Sequence, residues 1–248
     1  ELAIHHAFIE GAGCTEDALP YPTIVCLDAK AAILHYHAKR ATGSGKLLLL
    51  DAGVPDHGYG CDITRTSAAP ACDPKFKALI DAVDKLQLEL CAMVQPGHSY
   101  VDLHLAAHRM IGEALIDHGI LKCSLDAAIE KRYTSVFFPH GVGHHLGIQV
   151  HDIGGRQKSR EGGVLPPPEG HPYLRNTRVM EAGQVFTIEP GIYFVDMLLE
   201  PFRGNSGAKD FNWPLIDQLR PFGGIRVEDN VVVTAKGHRN LTREHLPN

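Results

Sequence analysis

The most constraining feature of this sequence is the order of its hydrophobic periods. Two long helical stretches stand between two blocks of short strand-like runs. Phe76, Leu79, Ile80, Val83, Leu86, Leu90 and Met93 recur at helical spacing behind Asp73-Pro74, a good N-cap and first-turn pair. Pro96-Gly97 stops that helix, and Ser99 with Asp102 offers a capping box for a second. Leu103, Ala107, Met110, Ile111 and Leu115 line one face of the second helix, and Gly119 ends it. Before the helices, residues 23–27, 32–36, 47–51 and 61–66 read as strands; after them, so do 185–189, 192–195 and 225–233. Residues 154–172 mix Gly, Pro and charge with little periodicity and read as a loop. Strands, then helices, then strands imply an α+β fold with a mainly antiparallel sheet.

Composition narrows the function classes. At 248 residues the chain can bury a sizeable core unaided. Lys and Arg number 24 against 29 Asp and Glu, a net charge of -5, where a nucleic-acid-binding domain would carry a basic excess. No apolar run approaches the roughly 18 residues of a membrane span, and the opening ELAIHHAFIE lacks the features of a start or targeting segment. The expectation is a processed or truncated piece of a longer protein. Six cysteines without C-x-x-C spacing read as small buried residues in a reducing cytoplasm.

Several apparent motifs carry little. Gly11-Ala12-Gly13 has no strand before it and no third glycine, so a dinucleotide site is not expected. His104 and His108 have zinc-binding i, i+4 spacing, but Leu105 stands where a zincin has Glu, and a solvated helix face is the better reading. His5, His6, His238 and His245 have no evident acidic partners.

The carboxylates are different. Asp51 ends an apolar run, and Asp62 lies in another that a hairpin could fold back beside it. Glu189 in FTIEPGIYF and Glu228 in GIRVEDNVVVT likewise sit inside apolar strands, where a carboxylate is costly unless paired or metal-bound. PHGVGHHLGIQVHD adds His140, His144, His145 and His151 within 12 residues. Four gathered carboxylates repel strongly, whereas two divalent cations would cancel them, with one neutral imidazole completing the set. Such oxygen-rich ligation suits a hard or borderline ion such as manganese.

Taken in order, DAG…DITRT, HGVGHHLG…VHD, TIEPG and GIRVEDN resemble the pita-bread metallopeptidases, the family of methionine aminopeptidase, aminopeptidase P, prolidase and creatinase. The resemblance runs from about Pro20 to Val233. Within it, PYLRNTRVMEAGQVFTIEPGIYF and FNWPLIDQLRPFGGIRVEDNVVVT are most similar to the bacterial Xaa-Pro dipeptidases (prolidases), a branch that also holds the organophosphorus acid anhydrolases.

The resemblance implies a pseudo-two-fold pita-bread domain over residues 1–248, opening inside a catalytic domain whose relatives carry a further N-terminal domain and first helix. It implies Asp51, Asp62, His144, Glu189 and Glu228 as ligands of two divalent ions, manganese first, with zinc or cobalt as alternatives. Asp62 and Glu228 would face both ions. A hydroxide between the ions would attack the Xaa-Pro peptide bond. Glu189 would move the proton, His151 would steady the oxyanion, and His140 would act on the substrate rather than the metal. Arg226, with His140 and His35, would read the substrate carboxylate, and Tyr21 and Val150 would line the pocket for its first side chain. The implied partners are a small peptide substrate and, in the full-length protein, a second copy in a homodimer; nucleic acid and membrane are not expected. Aminopeptidase P, an inactive fragment and a side activity on organophosphate triesters are the alternatives. No role is assigned to His145.

Overall fold

The computed structural model describes residues 1–159 and 161–246. It opens with a helix that the sequence reading did not anticipate, α1 (Leu2–Ala12). Gly11-Ala12-Gly13 is simply its C-terminus: Gly13 takes φ 63° and donates its N–H to Glu10 and Ile9 carbonyls. His5 on this helix does have partners, against expectation. Its Nδ1 lies 2.7 Å from Thr23 Oγ1 and its Nε2 3.4 Å from Glu16.

Three strands follow, β1 (Ile24–Leu27), β2 (Leu47–Ala52) and β3 (Ile63–Ala68), antiparallel in the order β1-β2-β3. The last begins two residues later than the reading of 61–66. Residues 32–36 are not a strand. Asp28, at φ 53°, turns the chain out of β1 into a 3₁₀ helix over Asp28–Ala32. Its carboxylate accepts from the amides of Lys46 and Leu47, at 2.8 and 2.9 Å, and so starts β2. β2 then occupies the edge of β1, and the alternation of residues 32–36 is left without a strand to pair with.

Helices α2 (Pro74–Ala92) and α3 (Tyr100–Asp117) form as the periodicity requires. Asp73 accepts from Lys75 N, and Ser99 from Val101 N and Asp102 N, so both N-caps are made. α2 buries Phe76, Leu79, Val83, Leu86 and Leu90. The buried face of α3 includes His104 and His108, which are 1% and 4% exposed. The solvated-face reading of these two is therefore corrected. They follow Leu103 and Ala107 by one residue, and one step of about 100° keeps them within the wide apolar stripe of a core helix.

Short helices α4 (Leu125–Glu130) and α5 (Thr134–Phe137) lead into the second half. The segment 154–172 is not wholly a loop, because β4 (Gln157–Ser159) and β5 (Gly162–Val164) pair as a small hairpin; Arg160 between them lies outside the described residues. Then come β6 (Val185–Ile188), β7 (Gly191–Tyr193), α6 (Asp196–Arg203), α7 (Trp213–Leu219), β8 (Gly224–Arg226), β9 (Asp229–Thr234) and β10 (Gly237–Asn240). β9 sits between β10 and β6, and β8 pairs with β7, all antiparallel. The single strand read over 225–233 is thus two, broken at Val227-Glu228. At the break Glu228 N donates to Thr64 O at 3.1 Å, which joins the two halves of the molecule. Beside it, Arg226 N donates to Thr66 Oγ1, which donates back to Arg226 O. Phe76, Phe137, Phe194, Ile188 and Ile225 fill the common core. Among the described residues no helix is long and apolar enough to cross a membrane.

Candidate metal centre

Strand alternation explains how acidic side chains enter this core. In β2, Leu47, Leu49 and Asp51 share one buried face, so the pattern that buries the leucines also buries the carboxylate. Asp51 stands opposite Thr64 in the β2–β3 ladder. Asp62 has the parity of Thr64 and points to that same face from just before β3. Glu189 and Glu228 are not inside strands as read. Each occupies a break, between β6 and β7 and between β8 and β9, where the chain changes ladders and need not keep the pleat.

His144 is fixed from both sides. Its amide donates to Thr187 Oγ1 at 3.1 Å, and its carbonyl accepts from Thr187 N at 2.9 Å. Its Nδ1 lies 3.0 Å from His145 O, so that nitrogen carries the proton and Nε2 keeps a free lone pair. Nε2 is 3.4 Å from Asp62, 3.7 Å from Glu189 and 3.9 Å from Glu228. This close seating depends on Gly143, where a Cβ would meet Thr187 O at 2.0 Å and Tyr100 Oη at 2.3 Å. Gly143→Ala is therefore expected to cost about 1–3 kcal/mol of stability through overpacking. It should also lower metal affinity, because His144 must shift. Thermal unfolding and metal content of the purified variant check both effects.

Asp62, His144 and Glu228 each offer one donor atom within 4.8 Å of the others. Asp51 joins them through Tyr21, whose hydroxyl lies 2.7 Å from Asp51 Oδ1 and 2.5 Å from Asp62 Oδ1. One phenolic proton cannot serve two carboxylates, so this contact requires a further proton or a cation nearby. Burial first, then the neighbouring carboxylates, holds Asp62, Glu189 and Glu228 well above the usual carboxylate range. Burial pushes the imidazolium of His144 the other way, toward the neutral form. Four carboxylates facing one buried guanidinium, with a neutral imidazole aimed at them, form a donor set that fits divalent cations. The residues present thus suit the group that the sequence implied.

All the sequence-derived site residues border one cavity of about 850 Å³, including His35, Tyr21, Val150 and His151. His151 lies at its exposed mouth, with its ring 4.3 Å from that of His144. Two assignments meet unexpected partners. Arg226 is 5% exposed, and its nitrogens are engaged by Asp51 Oδ2 at 2.5 Å, Tyr193 Oη at 3.0 Å and Thr64 Oγ1 at 3.1 Å. His140 bonds Tyr193 Oη through Nε2 at 2.9 Å and Gly141 O through Nδ1 at 2.8 Å. Burial and the Arg226 charge press its pKa down to about 3.

Sequence reasoning missed Thr64, whose hydroxyl donates to Glu228 Oε2 at 2.6 Å, and Tyr193, which links Arg226 to His140. It also missed Arg175, an exposed residue on the cavity wall; burial lowers the pKa values of His35, His144 and His151, and the Arg175 charge adds a smaller push in the same direction. Among the described residues its guanidinium has no ion pair. The parity of Thr64 with Asp62 was a usable signal; nothing in the sequence singled out Arg175.

The family model of metallopeptidase family M24 matches residues 1–235. The chain is 46% identical over 245 residues to a Xaa-Pro dipeptidase of Stenotrophomonas maltophilia, covering 98% of this chain and 55% of that protein. It is 46% identical over 246 residues to a Xaa-Pro dipeptidase of Shewanella loihica, covering 98% and 56% respectively. The chain thus spans about half the length of the curated relatives it matches. Among solved structures, it is similar to the aminopeptidase PepP of Pseudomonas aeruginosa, with TM-score 0.70, 29% identity, and coverage of 91% of this chain and 45% of that one. A substrate complex of an Escherichia coli aminopeptidase P variant gives TM-score 0.73 and 28% identity, covering 99% of this chain and 48% of that one. Family match, antiparallel ladders and the gathered carboxylates agree: the chain belongs to metallopeptidase family M24 and has its pita-bread α+β fold.

Proposed function

We propose that this chain carries the catalytic site of a two-metal Xaa-Pro dipeptidase. The observation that carries the proposal is the convergence of Asp51, Asp62, His144, Glu189 and Glu228 on one cavity wall beside a cationic side chain. When bound, two divalent ions, manganese first among the candidates for so oxygen-rich a set, supply activation of water and polarisation of the scissile carbonyl.

The protein groups do the rest. Thr64 and Tyr21 hold the carboxylates of Glu228, Asp51 and Asp62 in place. Glu189 takes a proton from the attacking water and returns it to the proline nitrogen, a poor leaving group until protonated. His151 at the mouth steadies the developing oxyanion. Substrate carboxylate reading falls to Arg175 with His35 rather than to Arg226, because the Arg226 nitrogens already hold Asp51, Tyr193 and Thr64. Tyr21 and Val150 border the space for the residue before proline. Six unpaired thiols support a cytoplasmic setting for this chemistry.

The test is kcat/KM on paired Xaa-Pro dipeptides, free acid and C-terminal amide, and on longer Xaa-Pro peptides. Arg175→Ala is expected to lower turnover of the acid about 10- to 100-fold, the worth of a charged hydrogen bond, and that of the amide much less. Arg226→Lys should impair both alike through Asp51. Selective loss in Arg226→Lys alone would return the carboxylate to Arg226. Faster cleavage of longer peptides than of dipeptides would favour an aminopeptidase instead, the activity named for the structural relatives.

A further inference from the structure

The second histidine cluster lies outside the site above. His104 and His108 on α3 meet His171 from the segment before β6, and the three ring centroids are each 4.7 Å from the other two. One imidazole nitrogen from each ring lies within 4.8 Å of the others. His104 Nε2 is 2.9 Å from His171 Nδ1, while His104 Nδ1 is buried without a hydrogen-bond partner. His108 Nδ1 is 2.9 Å from Thr134 Oγ1 on α5, a contact that fixes the ring and leaves Nε2 available.

A bare core of three histidines explains this arrangement poorly. A buried ring nitrogen without a partner is disfavoured, and three basic rings packed together must all stay neutral. Burial and mutual repulsion do keep them neutral: the pKa of His104 falls to about 2 and that of His108 to about 3. Neutral imidazole is the ligating form. A second cavity, of about 680 Å³, opens beside the cluster and leaves room for a fourth ligand. Nitrogens bound to a tetrahedral zinc at about 2.0–2.1 Å stand about 3.4 Å apart, within small side-chain shifts of what is present.

We propose that His104, His108 and His171 form a separate site for one zinc-like divalent cation, with water or a small ligand in the fourth position. The cation fastens His171 to α3. His171 stands in a short turn, its amide bonded to Pro168 O and its carbonyl to Leu174 N, at 3.0 and 3.1 Å. The next two residues, Pro172 and Tyr173, line both this cavity and the larger one. Occupancy of the site therefore steadies one wall of the substrate cavity without contributing to the centre of four carboxylates. Phe138 packs between the two sites, with its ring centroid 5.0 Å from His108 and 4.8 Å from His140.

The test measures zinc itself. After saturation and buffer exchange, the wild-type chain should retain about one zinc more per chain than His171→Ala. In a chain carrying Asp62→Ala and Glu228→Ala, about one zinc should remain, and His171→Ala added to that background should remove it. Cobalt substitution gives a second readout, because four-coordinate cobalt absorbs strongly in the visible and cobalt of higher coordination number weakly. That band should appear in wild type and be absent in His171→Ala. Zinc should also slow proteolysis of residues 161–173 in wild type alone. Equal zinc content in wild type and His171→Ala, or an unchanged cobalt band, overturns the proposal. If the carboxylate double variant fails to fold by circular dichroism, the comparison of wild type with His171→Ala decides alone.

Discussion

Glu228→Gln is expected to lower kcat/KM on an Xaa-Pro dipeptide by about three orders of magnitude while making the metal-free chain more stable. The side chain is 2% exposed, and Thr64 Oγ1 donates to its Oε2 at 2.6 Å. Arg226 Nε donates to that same threonine oxygen, so the threonine proton is committed to residue 228. In the variant the amide oxygen must take this bond, which turns the NH₂ group toward the centre, where it cannot ligate. A ligand facing the metal pair is thereby lost, and several kcal/mol of charge stabilisation go with it; about 4 kcal/mol corresponds to a factor of about 1,000. Stability moves the other way because Gln needs neither a buried charge nor the proton that a carboxylate buried beside Asp62 and Asp51 must take up on folding. Steady-state kinetics, metal content and the Tm of the chelated variant test this together. A variant that keeps its metal and loses less than tenfold in rate would remove Glu228 from the ligand set.

The sequence made the site more legible than some of the chain around it. Carboxylates in otherwise apolar strands stand out because burial makes them expensive, and the glycine-spaced histidines stand out by density. Both signals are local. What it hid depends on long-range pairing. The 32–36 alternation is a sound strand pattern, but β2 takes the available edge of β1. The partners of Arg226 were hidden because nothing in GIRVEDN reveals that Asp51, 175 residues away in the chain, lies 2.5 Å from its guanidinium. His104 and His108 were misread for a different reason. The missing zincin glutamate counted as an argument for exposure, although it bears only on one kind of zinc site. Their helical phase beside Leu103 and Ala107 already placed them inward. Their third partner, His171, comes from a segment with no periodicity to read.

Chelation should separate the loaded and metal-free proteins more at alkaline than at acid pH. Asp62, Glu189 and Glu228 all have folded-state values raised above those of the unfolded chain, burial being the first cause of each. Without metal, the folded protein therefore holds protons that the unfolded chain has released. The stability these groups contribute is fully present below about pH 4, the unfolded carboxylate range, and is lost as pH rises through the folded-state values. His144 works in the opposite sense, since its lowered value costs stability as pH falls below about 6.5. His35, His140 and His151 around the cavity shift in the same direction, but all four favour the neutral form in the folded chain with or without metal, so they cancel in the gap between loaded and chelated protein. His104 and His108 share this sign, but they lie outside the carboxylate centre and cancel when loaded and chelated samples are compared at one pH. Their own cation is kept out of the comparison by loading with manganese rather than zinc. Bound manganese takes the place of the protons on the three carboxylates, so the loaded protein escapes their penalty and metal affinity climbs with pH. At an ion concentration about 100 times Kd, binding adds about 2.7 kcal/mol, or about 5–10 °C in Tm for a chain of this size. The gap between loaded and chelated Tm should reach that range near pH 8 and shrink to about 2 °C or less near pH 5. Calorimetry across that interval, with and without chelator, measures it. A gap that stays constant with pH would mean that the three carboxylates do not give up protons to the metal, and the ligand set would have to be drawn again from other residues of the cavity.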